Sequence, residues 1–126
     1  MPMHVYEYAI VRVVPHVERQ EFLNLGVLLS CHPLRYLAAR LEWEPTRLLS
    51  FAPRLDLALI HDYAQITQRV CQGEGPIGNL PLRERFHWLV APRSTVIQLS
   101  PVHSGLCSDP AQELERLLAC MVRPLC

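Results

Sequence analysis

The stretch Phe22–Cys31 is almost continuously apolar and is closed by Pro33. A short apolar run bounded by turn residues reads as a strand buried on both faces, central in a sheet. Such a strand needs neighbours, and the flanking segments supply them. Val5–Val14 is rich in β-branched and aromatic residues and stops at Pro15. Tyr36–Trp43 alternates, with Leu37, Ala39, Leu41 and Trp43 on one face and Arg40 and Glu42 on the other. Short links between three strands predict an antiparallel meander.

Helical patterns follow. Pro45–Phe51 reads as a short helix halted by Pro53. Asp56 is placed to cap a longer one, in which Leu59, Ile60, Tyr63, Ala64, Thr67, Val70 and Cys71 recur at helical steps and Gly73 marks the end. The segment Gln72–Pro81, rich in Gly and Pro, reads as a connection. Leu82–Val90 suits a short helix or a strand, and Ser94–Ser100 reads as a fourth strand stopped by Pro101. At the end, Asp109 as N-cap, Pro110 at the first helical position and Gln112 make a capping signal. Leu114, Leu117, Leu118, Met121 and Val122 form the buried stripe, and Pro124 is the stop. The expected architecture is one α+β domain over residues 1–126. It is a two-layer arrangement with a mostly antiparallel sheet of about four strands and helices packed on one face. Half the residues are hydrophobic, which is enough for one core.

The twelve basic residues are all Arg. A GC-rich codon bias produces this without any functional pressure, yet the chemical consequence holds. With no Lys there is no Schiff base, no P-loop lysine and no kinase strand lysine. The start of the chain lacks the basic region of a signal peptide, and no apolar run is long enough to span a bilayer. A cytoplasmic location is expected. The five cysteines form an odd set without a CxxC pair, as expected of free thiols in a reducing compartment. His103 and Cys107 are spaced like two zinc ligands, but further ligands at suitable spacing are missing, so no metal and no cofactor are expected. A neutral chain without a basic stripe gives no support to nucleic-acid binding.

The window Arg85–Ser108 contains no Asp or Glu, although acids number twelve in the chain. It carries Arg85, His87, Arg93, Ser94, Thr95, His103 and Ser104. Guanidinium forks with hydroxyls can hold a phosphate or carboxylate, and the acid-free surroundings raise the local potential. Alternatively, Arg85 and Arg93 pair with helix acids and the hydroxyls tie off turns. Asn24 and Gly26 interrupt the apolar strand. Gly26 permits a close backbone approach or marks a β-bulge, and a buried Asn24 needs hydrogen-bond partners. None of the common nucleophile, metal or dinucleotide motifs occurs.

Several blocks carry a family resemblance. They are Tyr8–Pro15, Glu21–Val27, Arg85–Gln98, Ser100–Leu106 and Asp109-Pro110. Together they resemble the bacterial domain-of-unknown-function family 3037 over nearly the whole chain, most specifically from Arg85 to Pro110. The resemblance implies no activity. It implies a protein partner, in the form of a HipA-like kinase, and a single cluster of Asn24, Arg93, Ser94, Thr95, His103 and Asp109.

Two functional expectations follow. One is a non-enzymatic accessory module that binds a protein partner or a second copy, with a small-anion site built from Arg93, Ser94, Thr95, His103, Asn24 and Arg85. The other is a small hydrolase or transferase acting on an anionic substrate. There Arg93 holds the anion, His103 acts as acid or base, and Ser94 or Cys107 is the nucleophile.

Overall fold

A computed structural model describes residues 2–92 and 96–124. The three N-terminal strands form the meander that the apolar pattern predicts: β1 (His4–Val13), β2 (Leu23–Cys31) and β3 (Tyr36–Leu41). Short 3-10 turns, Val17–Arg19 and His32–Leu34, join them. Helices α1 (Pro45–Phe51) and α2 (Leu57–Cys71) come next, then the single turn α3 (Gly75–Gly78) and α4 (Leu82–Val90). The chain returns to the sheet as β4 (Ile97–Leu99) and β5 (His103–Cys107), and ends in α5 (Pro110–Met121).

The α+β class and the antiparallel sheet stand as expected. The sheet has five strands, in the order β3-β2-β1-β4, with β5 also pairing β1. The fifth strand lies where His103–Cys107 follows Pro101. Two prolyl and glycyl interruptions hide its alternation in the sequence. β4 and β5 run along the same side of β1, at Val11–Val13 and His4–Tyr8 respectively. They are one edge strand broken at Pro101. Ser100 bridges the break: its N–H donates to the Ile10 carbonyl, and its Oγ accepts the Ile10 N–H at 2.8 Å.

Helices cover both faces of the sheet rather than one. Successive strand residues point to opposite sides. Tyr6 and Ile10 of β1, with Val27, Leu29 and Cys31 of β2, pack under Leu114, Leu117 and Leu118 of α5. Val11 and Val13 pack on the other side against Leu48 of α1 and Ile60 of α2. Leu28, Leu37 and Ala39 meet Val70 of α2 with Phe86 and Leu89 of α4. The continuous apolar run of β2 required this: a strand buried on both faces needs cover on both.

The helix signals are realised as hydrogen bonds. Asp56 accepts from the Leu59 N–H, and Asp109 accepts from those of Ala111 and Gln112. Gly73 leaves α2 at φ 86°, a left-handed conformation that glycine adopts without a Cβ penalty. Leu82–Val90 resolves as helix, because Phe86 and Leu89 bury together on one helical side. The connection Gln72–Pro81 contains the turn α3.

Gly26 sits at a bulge. The β1–β2 register slips between Val11 and Arg12, so that Gly26 faces Val11 while Asn24 faces Arg12. A Cβ on Gly26 would lie 2.4 Å from the Arg40 carbonyl oxygen and 2.9 Å from the Leu41 Cα. Close approach of the β3 backbone is therefore the reason for this glycine, joined to the bulge.

Candidate functional site

Arg93, Ser94 and Thr95, the centre of the expected anion site, lie outside the described residues. The other sequence candidates do not converge. Arg85, on α4, is a structural cap. Its Nε donates to the Leu80 carbonyl at 2.9 Å, and its Nη1 donates to those of Val70 and Cys71 at 3.0 and 3.2 Å. It satisfies the last carbonyls of α2 with its guanidinium.

Asn24 lies on the α5 side, and its Nδ2 donates to the Met121 carbonyl at 2.9 Å. Its Oδ1 and the Nε of the facing Arg12 are both buried without a hydrogen-bond partner among the described residues. The Arg12 guanidinium stacks over the Phe22 ring, 4.0 Å from its centroid. This pairing of Arg12 with Asn24 was invisible in the sequence, since only the register slip aligns them.

His103 opens β5 opposite Tyr8, and the two rings pack with centroids 5.5 Å apart. His103 and Asn24 are two strands apart laterally and four residues apart along β1, roughly 16 Å by strand spacing. Cys107 is four residues further along the same strand, about 13 Å from His103. It is buried under α5, and burial, reinforced by the neighbouring Cys31, pushes its thiol up to about 11. An exposed imidazole and a buried, protonated thiol at that separation cannot work as base and nucleophile. Asp109 caps α5. Among the described residues no group of three or more His, Cys, Asp or Glu side chains could hold a metal ion, and no helix is long and apolar enough to cross a membrane.

A polar hollow of about 560 Å³ lies beside Cys107 and Asp109, with Gln112, Glu113 and Arg116 in its wall, and two further grooves lie on the flanks of α2. One groove, about 480 Å³, runs between α2 and the β3 edge. It is lined by Trp43, His61, Gln65, Gln68, Arg69 and Gln72 among others. Gln68 crosses it, its Nε2 donating to the Ala39 carbonyl at 2.7 Å. The second groove, about 290 Å³, lies between α2 and α4 over the start of β4. Leu59, Tyr63, Ile66, Trp88, Val96 and Ile97 line it. Its walls are apolar, yet Leu59 and Ile66 are each 50% exposed. The amphipathic pattern of α2 assigned Leu59 to the core, whereas it stands at the groove rim. Ile66 falls off that stripe altogether. A large apolar residue off the buried face was the available signal for this surface.

A family model described as "Protein of unknown function (DUF3037)" matches residues 8–122. No curated protein and no solved structure matches the chain.

Proposed function

For a chain that belongs to the DUF3037 family, whose description assigns no activity, we propose a non-enzymatic accessory module that docks a protein partner in the α2–α4 groove. The observation that carries this reading is the exposed apolar line of Leu59 and Ile66 facing Trp88. Leu59, Tyr63 and Ile66 are four and three residues apart, so they stand on one side of α2. Two helical walls over a strand floor suit an amphipathic helix that presents apolar side chains at helical spacing. The partner is a HipA-like kinase that offers such a helix.

The test is titration calorimetry of the full chain against a HipA-like kinase from the same genome. Leu59→Asp and Ile66→Asp place a charge in the groove while leaving the core untouched. Each is expected to weaken binding about tenfold or more, with an unchanged circular dichroism spectrum. Equal binding by both variants would remove the groove from the proposal, and no binding by the parent chain would remove the kinase.

A further inference from the structure

We infer that β5 is the seam of a homodimer, in which two copies pair their β5 strands antiparallel about a two-fold axis at Leu106. The first support is the direction of the backbone groups. Ile10 exchanges hydrogen bonds with Ser100, and Val14 donates to the Val96 carbonyl. Even-numbered residues of β1 thus point their N–H and C=O groups toward β4 and β5. By register, the inward residues of β5 are His103, Gly105 and Cys107, facing Tyr8, Tyr6 and His4. Ser104 and Leu106 then aim their N–H and C=O groups outward, at a free edge.

The second support is the composition and pairing of this edge. β5 contains no charged residue of fixed sign and no proline, and among the described residues its sheet pairing is to β1 alone. The opposite edge differs, because Gln68 of α2 takes up the outward Ala39 carbonyl of β3. Toward its C-terminal end the sheet surface beside β5 is apolar, while Glu7, opposite Ser104, lies within ion-pair distance of Arg83 of α4. Leu106 is 60% exposed, its cross-strand neighbour Val5 55%, and Met3 57%.

A second copy fits this edge by complementarity. Pairing about Leu106 sets Leu106 against itself and Ser104 against Ser108. It also sets His103 against Asp109 of the second copy, twice over by symmetry. His103 and Asp109 are both exposed, and the Asp109 Oδ1 already accepts from its own helix at 3.1 and 3.2 Å. The carboxylate therefore stays ordered while presenting its other oxygen to an imidazole donor. The two sheets become one continuous sheet, with the two Leu106 side chains meeting at the seam and Val5 extending the apolar strip one strand inward on each side. The surface is separate from the α2–α4 groove and does not rest on the docking proposal.

Sedimentation velocity of the full chain, in reductant so that thiols cannot cross-link, is expected to give twice the 14.4 kDa of one chain at micromolar concentration. Two variants then test the seam. Ser104→Pro deletes an outward donor, where an edge strand tolerates proline. Leu106→Lys puts a charge at the axis. Each is expected to raise the monomer–dimer midpoint about tenfold or more with an unaltered spectrum. Slow hydrogen exchange at the Ser104 and Leu106 amides of the parent chain, lost in Leu106→Lys, is the second readout. A monomer at every concentration would overturn the inference. So would a dimer that both folded variants leave intact, or one that Ile66→Asp abolishes.

Discussion

The hydroxyl of Ser100 takes the place of a backbone carbonyl opposite Ile10. Its Oγ accepts the Ile10 N–H, while it donates to the carbonyl of Pro101 at 2.9 Å. The side chain thus carries the β1 ladder across the proline break. Ser100→Ala leaves a buried N–H without an acceptor and is expected to cost about 1–3 kcal/mol. Urea unfolding measures this, and Ser100→Thr, which keeps the oxygen, should lose much less.

Gly105 and Gly26 are both constrained by space, but by different neighbours. A Cβ at Gly105 would meet the Tyr6 Oη at 2.7 Å, so Gly105→Ala displaces a ring. The expected cost is about 1–3 kcal/mol. At Gly26 the obstacle is backbone of β3, which cannot rotate away. Gly26→Ala should therefore cost more than Gly105→Ala in the same unfolding assay.

Arg85→Ala removes two hydrogen bonds to the end of α2 and one to the Leu80 carbonyl, and is expected to cost about 2 kcal/mol. Lysine should restore only part of it, because a single ammonium cannot reproduce the fork. Burial lifts the neighbouring Cys71 thiol to about 11, against the attraction of Arg85. Faster thiol labelling of Cys71 in Arg85→Ala, beyond what the parent shows, would report the loosened helix end.

Tyr6 and Glu113 give stability a limit on each side of neutrality. The Tyr6 hydroxyl donates to Glu113 at 2.5 Å, and Arg116 donates to the same carboxylate at 2.8 and 2.7 Å. Burial first, and then this bond, lift Tyr6 from 10.0 to about 12. Folding favours the neutral phenol, so its contribution is full below pH 10 and declines as pH rises toward 12. Arg116 first, helped by Tyr6, holds Glu113 below its ordinary 4.5 against the opposing effect of burial. That contribution is present above pH 4.5 and is lost as pH falls through the lowered value. Thermal midpoints across pH are expected to flatten on the alkaline side in Tyr6→Phe and on the acid side in Glu113→Gln.

Thiol labelling separates the two functional readings. In the native chain at neutral pH, exposed Cys120 is expected to react well before buried Cys31 and Cys107. A Cys107 that labelled first would restore it as a nucleophile.

The parts of the fold carried by local chemistry were legible in the sequence. The meander follows from the alternation and apolar runs of residues 5–43, and Asp56 and Asp109 cap helices as their spacing implied. What depends on contacts far along the chain was not. β5 is too short and too glycine-marked to announce itself, and its partner strand lies about a hundred residues earlier. The face taken by α5 could be argued only from the double burial of β2. The candidate site fared less well for the same reason. Arg85 has the chemistry of an anion ligand, but whether a guanidinium meets a carbonyl or open water is decided by tertiary placement. Ile66, off the apolar stripe of α2, marks the groove only once its 50% exposure is known.

β1 draws its neighbours from distant parts of the chain: β2 within a few residues, β4 and β5 about ninety residues later. Closing so long a loop costs entropy before any contact repays it. The meander can assemble early, but the second side of β1 stays open until β4, β5 and α5 arrive together. The Ser100 clasp at the proline break is thus a late-forming lock, and the sheet exposes a bare strand throughout the time before it shuts.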